Sequence, residues 1–360
     1  MFSSDDRPHM ARALELAERG LYTTTPNPRV GCVIVREGSI VGEGWHERAG
    51  GPHAELNALM MAGGAARGAT AYVSLEPCAH HGRTPPCAAA LISAGVARVV
   101  AALRDPNPEV AGKGFAMLEQ SGIAVECGLL EDEARELNIG FVQRMTCGRP
   151  WVRMKIAASL DGKTALSNGR SRWITGPEAR RDGHAWRARA CAVLTGIGTV
   201  KDDDPELTVR EVETSRQPLR IVVDSRLETP RGAKVLRNGA LIAAALNDAE
   251  KRRALQEAGA EILVLPNAGG KVDLGGVMRE LGRRELNEVH VEAGFKLNGS
   301  LLQEGLVDEF LVYLAPSFIG DAARGMFHLP ALEDLGARRA LAIRDVRMIG
   351  ADIRILARPA

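Results

Sequence analysis

The sequence predicts an α/β chain of two layered domains, and three observations carry this. The length of 360 residues suits two domains better than one. Helical stretches alternate with short strands rich in Val and Ile. The chemistry also changes near Gly148-Arg149-Pro150, with metal-type ligands before it and glycine-punctuated strand ends after it. Apolar residues make up 45% of the chain and charged residues 25%, a balance that fills ordinary globular cores.

In chain order, Met10 to Arg19 has the spacing of a helix. Val30 to Val35 and Ile40 to Gly44 are strands joined by Arg36-Glu37-Gly38-Ser39, a hairpin signal. His53 opens a helix from Ala54 to Ala62, Ala71 to Leu75 is a strand, and Cys87 to Ala94 is a helix. The strand Arg98 to Ala102 and the segments Gly114 to Ser121, Ala124 to Cys127 and Glu131 to Phe141 complete the domain. Beyond Pro150 the apolar strand Cys191-Ala192-Val193-Leu194 runs into Thr195-Gly196-Ile197-Gly198-Thr199, and Val289-His290-Val291 runs into Glu292-Ala293-Gly294. Glycines past the end of a parallel strand let backbone approach a pyrophosphate, which the next helix N-terminus stabilises. Neither turn is a full dinucleotide fingerprint, since Gly196-x-Gly198 lacks the third glycine.

The first domain carries the sharper signal. His53-Ala54-Glu55 is followed by Pro77-Cys78, and eight residues separate Cys78 from Cys87. One imidazole and two thiolates suit zinc, leave its fourth position for water and lower that water's pKa towards ~7. Glu55, two residues beyond the ligating His, can lie beside the metal without binding it and shuttle a proton, as in zinc deaminases. The commonest deaminase spacing has two residues between the cysteines. The longer loop still lets both thiolates reach one ion, and His80, His81, Gly82 and Arg83 add polar groups for a polar or anionic substrate. His80 or His81 is the alternative to a cysteine ligand. A closed structural site would recruit a fourth Cys or His and would have no use for Glu55. The helices opening at Ala54 and Cys87 both aim their N-termini at the site, which favours thiolates.

A net charge of +1 and 4% aromatic residues argue against a nucleic-acid-binding face. The start, Met1-Phe2-Ser3-Ser4-Asp5-Asp6-Arg7, lacks a signal peptide's apolar core, and no apolar run approaches the ~18 residues of a membrane span, so a cytoplasmic enzyme is expected. Cys32, Cys127, Cys147 and Cys191 have no motif spacing and are expected as free thiols.

The tracts Asn27-Pro28-Arg29-Val30-Gly31, His53-Ala54-Glu55 and Glu76 through Thr84 resemble the bifunctional riboflavin-biosynthesis deaminase/reductase family. So do Ala158-Ser159-Leu160-Asp161-Gly162-Lys163, Ser171-Arg172-Trp173-Ile174-Thr175, Thr199 through Pro205 with Leu207-Thr208-Val209-Arg210, and Val291-Glu292-Ala293-Gly294. Their order covers almost the whole chain. The resemblance implies a cytidine-deaminase-like three-layer domain over residues 1–147 and a dihydrofolate-reductase-like domain over residues 148–360. It implies zinc on His53, Cys78 and Cys87, with Glu55 catalytic, and NADPH in the second domain. The substrates would be phosphorylated pyrimidines. The 2-amino group of 2,5-diamino-6-ribosylamino-4(3H)-pyrimidinone 5′-phosphate would be replaced by oxygen, and the ribose of the resulting uracil would be reduced to ribityl. A homo-oligomer is implied as well.

Carried over position by position, the cofactor contacts fall on Ala157, Trp173, Thr199, Asp203, Ser225 and the loop Gly294, Phe295, Lys296, Leu297, Asn298, Gly299 and Ser300. The substrate contacts fall on Ser171, Arg187, Leu207, Arg210 and Glu292. Arg187 and Arg210 can fork onto a phosphate, and Glu292 at a strand end can stabilise an iminium or orient ribose hydroxyls. Lys155 is a further candidate near the reacting sugar. Asp224 ends an apolar strand, where acid reads a ribose 2′-hydroxyl in Rossmann units, but this domain does not resemble one. Ser225 and Arg226 suit a 2′-phosphate. The plain structural readings are a solvated Arg187, Trp173 as a core plug and Asp203 as a turn cap. Two alternatives stand beside the resemblance: a nucleic-acid or nucleoside deaminase with an appended nucleotide-binding domain, and a non-enzymatic module with a structural metal.

Overall fold

The computed structural model describes residues 2–79, 86–108 and 110–360. The chain forms two compact units, Met1–Gly148 and Arg149–Ala360, each with its own cores.

The first unit runs α1 (Asp6–Glu18), β1 (Gly31–Arg36), β2 (Ser39–Trp45), α2 (Ala54–Ala62), β3 (Thr70–Val73), α3 (Cys87–Ser93), β4 (Arg98–Ala101), α4 (Lys113–Gln120), β5 (Ala124–Cys127), α5 (Glu131–Leu137) and α6 (Ile139–Cys147). Its sheet has the order β2-β1-β3-β4-β5, with β1 antiparallel to both neighbours and β3, β4 and β5 parallel. Side chains alternate across it as the pleat requires. Cys32, Ile34, Ala71 and Val73 pack with Ala54, Ala58 and Leu91, while Val33, Val35, Tyr72 and Val100 pack with Met10, Ala13, Leu16 and Val142. The unit therefore has three layers. The hairpin turn is Glu37-Gly38, with φ of 52° and 77°, the two-residue type I′ geometry that matches strand twist.

The segment from Glu131 to Phe141 is a helix, α5, followed by the start of a second, α6. Asn138 sits between them outside helical geometry, φ −106° and ψ 22°. Its side chain accepts from the Arg29 N–H and donates to the Arg29 carbonyl, each at 2.8 Å. Those two bonds tie the break to the entry of β1.

Close packing sets the position of α2. A Cβ on Gly44 would lie 2.4 Å from the Ala54 carbonyl oxygen, and one on Gly42 would lie 2.3 Å from that of Ala58. Glycines on β2 facing alanines at i, i+4 and i+8 bring helix and strand backbones together, and so fix where α2 begins. Asp6 fastens α1 to the sheet by accepting from both terminal nitrogens of Arg98, at 2.7 and 2.8 Å, and from the Tyr72 hydroxyl at 2.7 Å.

The second unit runs β6 (Trp151–Ser159), β7 (Lys163–Ala165), α7 (Pro177–Arg189), β8 (Ala192–Gly196), α8 (Ile197–Asp203), β9 (Leu219–Val223), β10 (Ala240–Ala244), α9 (Ala249–Glu257), β11 (Ala260–Val264), α10 (Leu274–Arg283), β12 (Glu288–Val291), α11 (Phe295–Gln303), β13 (Glu309–Ala315), β14 (Arg324–Gly325), β15 (Leu341–Ile349) and β16 (Asp352–Pro359). Nine strands form one sheet, β11-β10-β9-β8-β12-β6-β13-β16-β15. The sheet is parallel as far as β13 and antiparallel in the closing hairpin, and β7 pairs with β14 apart from it.

One face of the middle strands is apolar, with Met154, Ile156, Val289 and Val291 packed against Val277, Leu281 and Leu301. The face with the opposite register parity is charged. Arg153 pairs with Glu288 at 2.9 Å and Glu309 at 2.5 Å, all three essentially buried, with the Trp186 ring 4.4 Å from its guanidinium carbon. Buried ions need such complete partnering to offset desolvation. Lys155, two residues beyond Arg153 in β6, and Glu292, one residue past the end of β12, lie at the edge of a cavity.

Candidate active sites

In the first unit, His53 is the residue before α2, Cys78 follows β3, and Cys87 is the first residue of α3. His53 Nδ1 lies 3.2 Å from Cys87 Sγ and 3.6 Å from Cys78 Sγ, and the three ligand atoms all lie within 4.8 Å of one another. Tetrahedral zinc bonds place an imidazole nitrogen about 3.5 Å from a thiolate sulfur, so this set fits the ion. The Cys87 N–H donates to Cys78 Sγ at 3.3 Å, the helix-terminal donation that favours a thiolate. The Cys78 thiol is lowered to about 4 by the Cys87 thiol and, against burial, by His53. His80 and His81 lie outside the described residues.

Glu55, in the first turn of α2, is 3% exposed, and its Oε2 has no hydrogen-bond partner among the described residues. Burial, with the nearby Cys78, raises its carboxyl to about 6. A buried, unpaired carboxylate oxygen beside three ligand atoms is placed to carry protons, and contributes nothing to packing.

Three neighbours escape motif reading. His46 donates from Nδ1 to the Pro52 carbonyl at 2.9 Å, which leaves Nε2 to accept from Asn27 Nδ2 at 3.0 Å, and its ring stands edge-on to that of His53 at 5.3 Å. Glu76 accepts from the N–H groups of Asp105, Gly112 and Gly114 at 3.0–3.1 Å, bracing the loop after β4 beside the Cys78 segment. The available signal was position: each lies within seven residues of a ligand or in a tract already singled out.

In the second unit a cavity of about 1270 Å³ opens at the carboxyl ends of β6, β8 and β12. Ala157, Ser171, Trp173, Thr199, Asp203, Leu207, Arg210 and Gly294 through Asn298 line it, as do Lys155, Arg187 and Glu292. Ser171 donates to Asp203 at 3.2 Å, so a predicted substrate residue and a predicted cofactor residue meet. Trp173 is 69% exposed, with the Arg180 guanidinium 4.6 Å from its ring, and plugs no core. The N-terminus of α11 faces the cavity, with Asn298 buried and its Oδ1 unpaired among the described residues. A helix N-terminus, an exposed indole and a long cleft suit a dinucleotide such as NADPH.

Other predicted positions lie elsewhere. Ser225 is absent from the cavity lining, and its hydroxyl accepts from the Val272 N–H at 3.3 Å. Asp224 braces its own turn, accepting from the Thr229 N–H and hydroxyl, each at 2.7 Å. Gly299 packs against the His328 backbone, where a Cβ would meet its carbonyl oxygen at 2.1 Å, and the Ser300 hydroxyl turns back onto Lys296. Arg187, expected on a phosphate, is already engaged. Its Nε and one terminal nitrogen fork onto Glu292, and the other terminal nitrogen reaches the Thr208 carbonyl at 2.9 Å. Burial works to raise the Glu292 carboxyl, but Arg187, His290 and Lys155 hold it well below the usual carboxylate range. Burial lowers the Lys155 ammonium against the attraction of Glu292.

A three-layer unit with an open zinc ligand set and an unligated carboxylate, in one chain with a unit built around a nucleotide-sized cleft, defines a two-step enzyme, a zinc deaminase joined to a nicotinamide-dependent reductase. Comparison with known proteins agrees. Residues 3–103 match the cytidine and deoxycytidylate deaminase zinc-binding region, and residues 150–355 match the RibD C-terminal domain. The riboflavin biosynthesis protein RibD of Escherichia coli is 49% identical over 97% of this chain and 98% of its own length. A solved RibD structure from Acinetobacter baumannii superposes with a TM-score of 0.92 at 45% identity, covering 99% of both chains. A Thermotoga maritima structure described as a diaminohydroxyphosphoribosylaminopyrimidine deaminase and 5-amino-6-(5-phosphoribosylamino)uracil reductase gives 0.88 at 34%, again covering 99% of both. The chain belongs to the RibD family of riboflavin biosynthesis, and is a deaminase and a reductase that uses Zn²⁺ and NADPH. The alternative of a nucleic-acid deaminase is not favoured.

Proposed function

We propose that the first unit deaminates 2,5-diamino-6-ribosylamino-4(3H)-pyrimidinone 5′-phosphate and that the second reduces the ribosyl group of the resulting 5-amino-6-(5-phosphoribosylamino)uracil to ribityl. The observation that carries this is one chain holding both Glu55, buried and unpaired beside His53, Cys78 and Cys87, and Glu292, fixed by Arg187 at the edge of a long cleft.

When bound by His53, Cys78 and Cys87, zinc supplies a Lewis acid at which water ionises near neutral pH. Glu55 accepts the proton that water gives up and passes it to the ring nitrogen, then takes the second proton from the hydroxyl added at the ring carbon and delivers it to the amino group as ammonia leaves and the carbonyl forms. Asn27 and His46 hold a fixed donor and acceptor pattern beside that position. In the second unit Ala157, Trp173, Thr199, Asp203 and Gly294 to Asn298 would hold NADPH, which would supply hydride. The acceptor would be the protonated imine, an iminium, at the first carbon of the opened ribose, whose positive charge Glu292 offsets. Arg187 fixes both carboxylate oxygens of Glu292, so the charge is in place before substrate arrives. Ser171, Leu207 and Arg210 line the substrate side.

The chain is further proposed to pair with a second copy. In the edge strand β15, Ile343, Val346 and Met348 are 65%, 56% and 61% exposed and share a face with Ile353 and Ile355 of β16. Apolar faces of this kind mark interaction sites. A cytoplasmic location is proposed on NADPH use and on six cysteines that are all free. No helix among the described residues is long and apolar enough to cross a membrane.

Mass spectrometry of the product tests the two-step function. Incubation with zinc and NADPH is expected to exchange one amino group for oxygen and then add two hydrogens. A product that has gained hydrogens with both amino groups intact contradicts the order of steps.

A further inference from the structure

We infer that His184 is a substrate-positioning residue of the reductase cavity, a neutral imidazole whose Nε2–H, together with the Arg210 guanidinium, receives the substrate's 5′-phosphate. This rests on the cavity being the reductase site.

His184 belongs to neither predicted ligand set, and the reduction described above leaves it unused. It is 6% exposed and lies on α7, whose cavity-lining residues Arg180, Gly183, His184 and Arg187 fall at the spacing of one helix face. Its Nδ1 accepts the backbone N–H of Arg210 at 3.3 Å. A ring nitrogen that accepts carries no proton, so in the neutral ring the proton sits on Nε2. That donor has no protein partner among the described residues, and it does not belong to the buried unsatisfied atoms either, so it faces the open space that the ring lines. Burial, with Arg187 on the same helix and Arg210 opposite, lowers the imidazole to about 4 against the weaker pull of Glu211 and Glu292. The ring is therefore a neutral hydrogen-bond donor at working pH.

Most of the other cations around the cavity are committed, whereas Lys296, in the first turn of α11 on the side expected to hold the coenzyme, has no ion pair among the described residues. Glu292 occupies Arg187 and attracts Lys155, Asp203 lies 3.7 Å from Arg172, Asp202 lies 3.1 Å from Arg324, and Asp204 lies 3.5 Å from Lys234. Arg210 is half exposed and, among the described residues, its guanidinium has a 3.5 Å pairing with Glu206 besides the Thr208 hydroxyl. Its backbone is held by the same imidazole that presents the free donor. One guanidinium and one neutral N–H, on two residues joined through the Arg210 backbone, together offer donors to a phosphoryl oxygen.

The two ring nitrogens can be replaced separately. In His184→Asn the amide oxygen can still accept from Arg210, but nothing reaches the Nε2 position, whereas in His184→Gln the amide nitrogen does. Steady-state reduction of 5-amino-6-(5-phosphoribosylamino)uracil by the full chain is expected to show KM raised about tenfold in His184→Asn, the loss of ~1.4 kcal/mol of binding, and KM near wild type in His184→Gln. KM for NADPH and ammonia release in the first step are expected to be unchanged in both variants. With the dephosphorylated substrate, wild type and His184→Asn should be alike. Equal KM values in the two variants, an equal loss on the dephosphorylated substrate, or a shift in KM for NADPH would each overturn the inference, the last because it assigns the donor to a coenzyme phosphate. Failure of the wild-type chain to oxidise NADPH at all would instead overturn the reading of the cavity on which it rests.

Discussion

At the scale of single residues, two carboxylates carry opposite burdens. Glu55 is buried with its Oε2 unpaired among the described residues, and its function is to change protonation state. Glu292 is buried with Arg187, His290 and Lys155 around it, and its function is to stay charged. Glu55→Gln is expected to keep zinc content and fold while lowering ammonia release by ~10²–10⁴-fold. Reduction of added 5-amino-6-(5-phosphoribosylamino)uracil should continue, and zinc analysis beside the two activities checks this. Glu292→Gln should leave ammonia release intact and slow NADPH oxidation by about 10²-fold, since one neutral amide cannot offset the iminium charge. Lost ammonia release in that variant would count against separate sites. The sequence shows what both residues are, but pairing is invisible in it. Arg187 reads as a phosphate ligand in the sequence, and only the fold shows that α7 lays it across Glu292.

At the scale of elements, sites are placed by backbone contacts that no motif encodes. Helix α2 starts where Gly42 and Gly44 let it approach β2, and His53 stands at that start. Gly44→Ala puts a methyl group 2.4 Å from a backbone oxygen, so helix and strand must separate. It is expected to cost about 1–3 kcal/mol and to lower zinc stoichiometry, measured by chemical denaturation and metal analysis. Asp6 ties α1 to β3 and β4 through Tyr72 and Arg98, and Arg98 leads in holding its carboxyl far below the usual range. Asp6→Ala should cost about 3 kcal/mol. A carboxyl with a depressed folded pKa contributes fully above its unfolded value of ~4 and loses that contribution on acidification through the folded value. The wild-type and variant unfolding free energies should therefore converge below pH ~4. Most elements of the first unit are legible from periodicity and turn residues, to within a residue or two. The break at Asn138 is not, because its cause lies 109 residues away at Arg29.

At the scale of the whole molecule, two units with separate cores bind two unlike cofactors. Ligands that bind only the folded state stabilise it by RT ln(1 + [L]/Kd), about 2.7 kcal/mol at a hundredfold excess over Kd. Hydrogen exchange on the full chain should then show chelation loosening residues 1–148, and NADPH protecting residues 149–360, above all β8, α8 and the start of α11. The zinc site was legible because its ligands fall in short tracts with strict chemistry. The reductase cleft was legible mainly through family resemblance, because its lining comes from many separated segments and includes positions such as His184 that carry no motif. Ser225, Gly299 and Ser300, expected from the same resemblance, sit next to the cleft's elements and are not among the residues lining it. The most direct test gives the zinc-loaded chain 2,5-diamino-6-ribosylamino-4(3H)-pyrimidinone 5′-phosphate and follows ammonia, then adds NADPH and follows its absorbance. The account predicts stoichiometric ammonia first and NADPH oxidation to the same extent afterwards. Oxidation without prior ammonia release, or ammonia with no oxidation to follow, would contradict it.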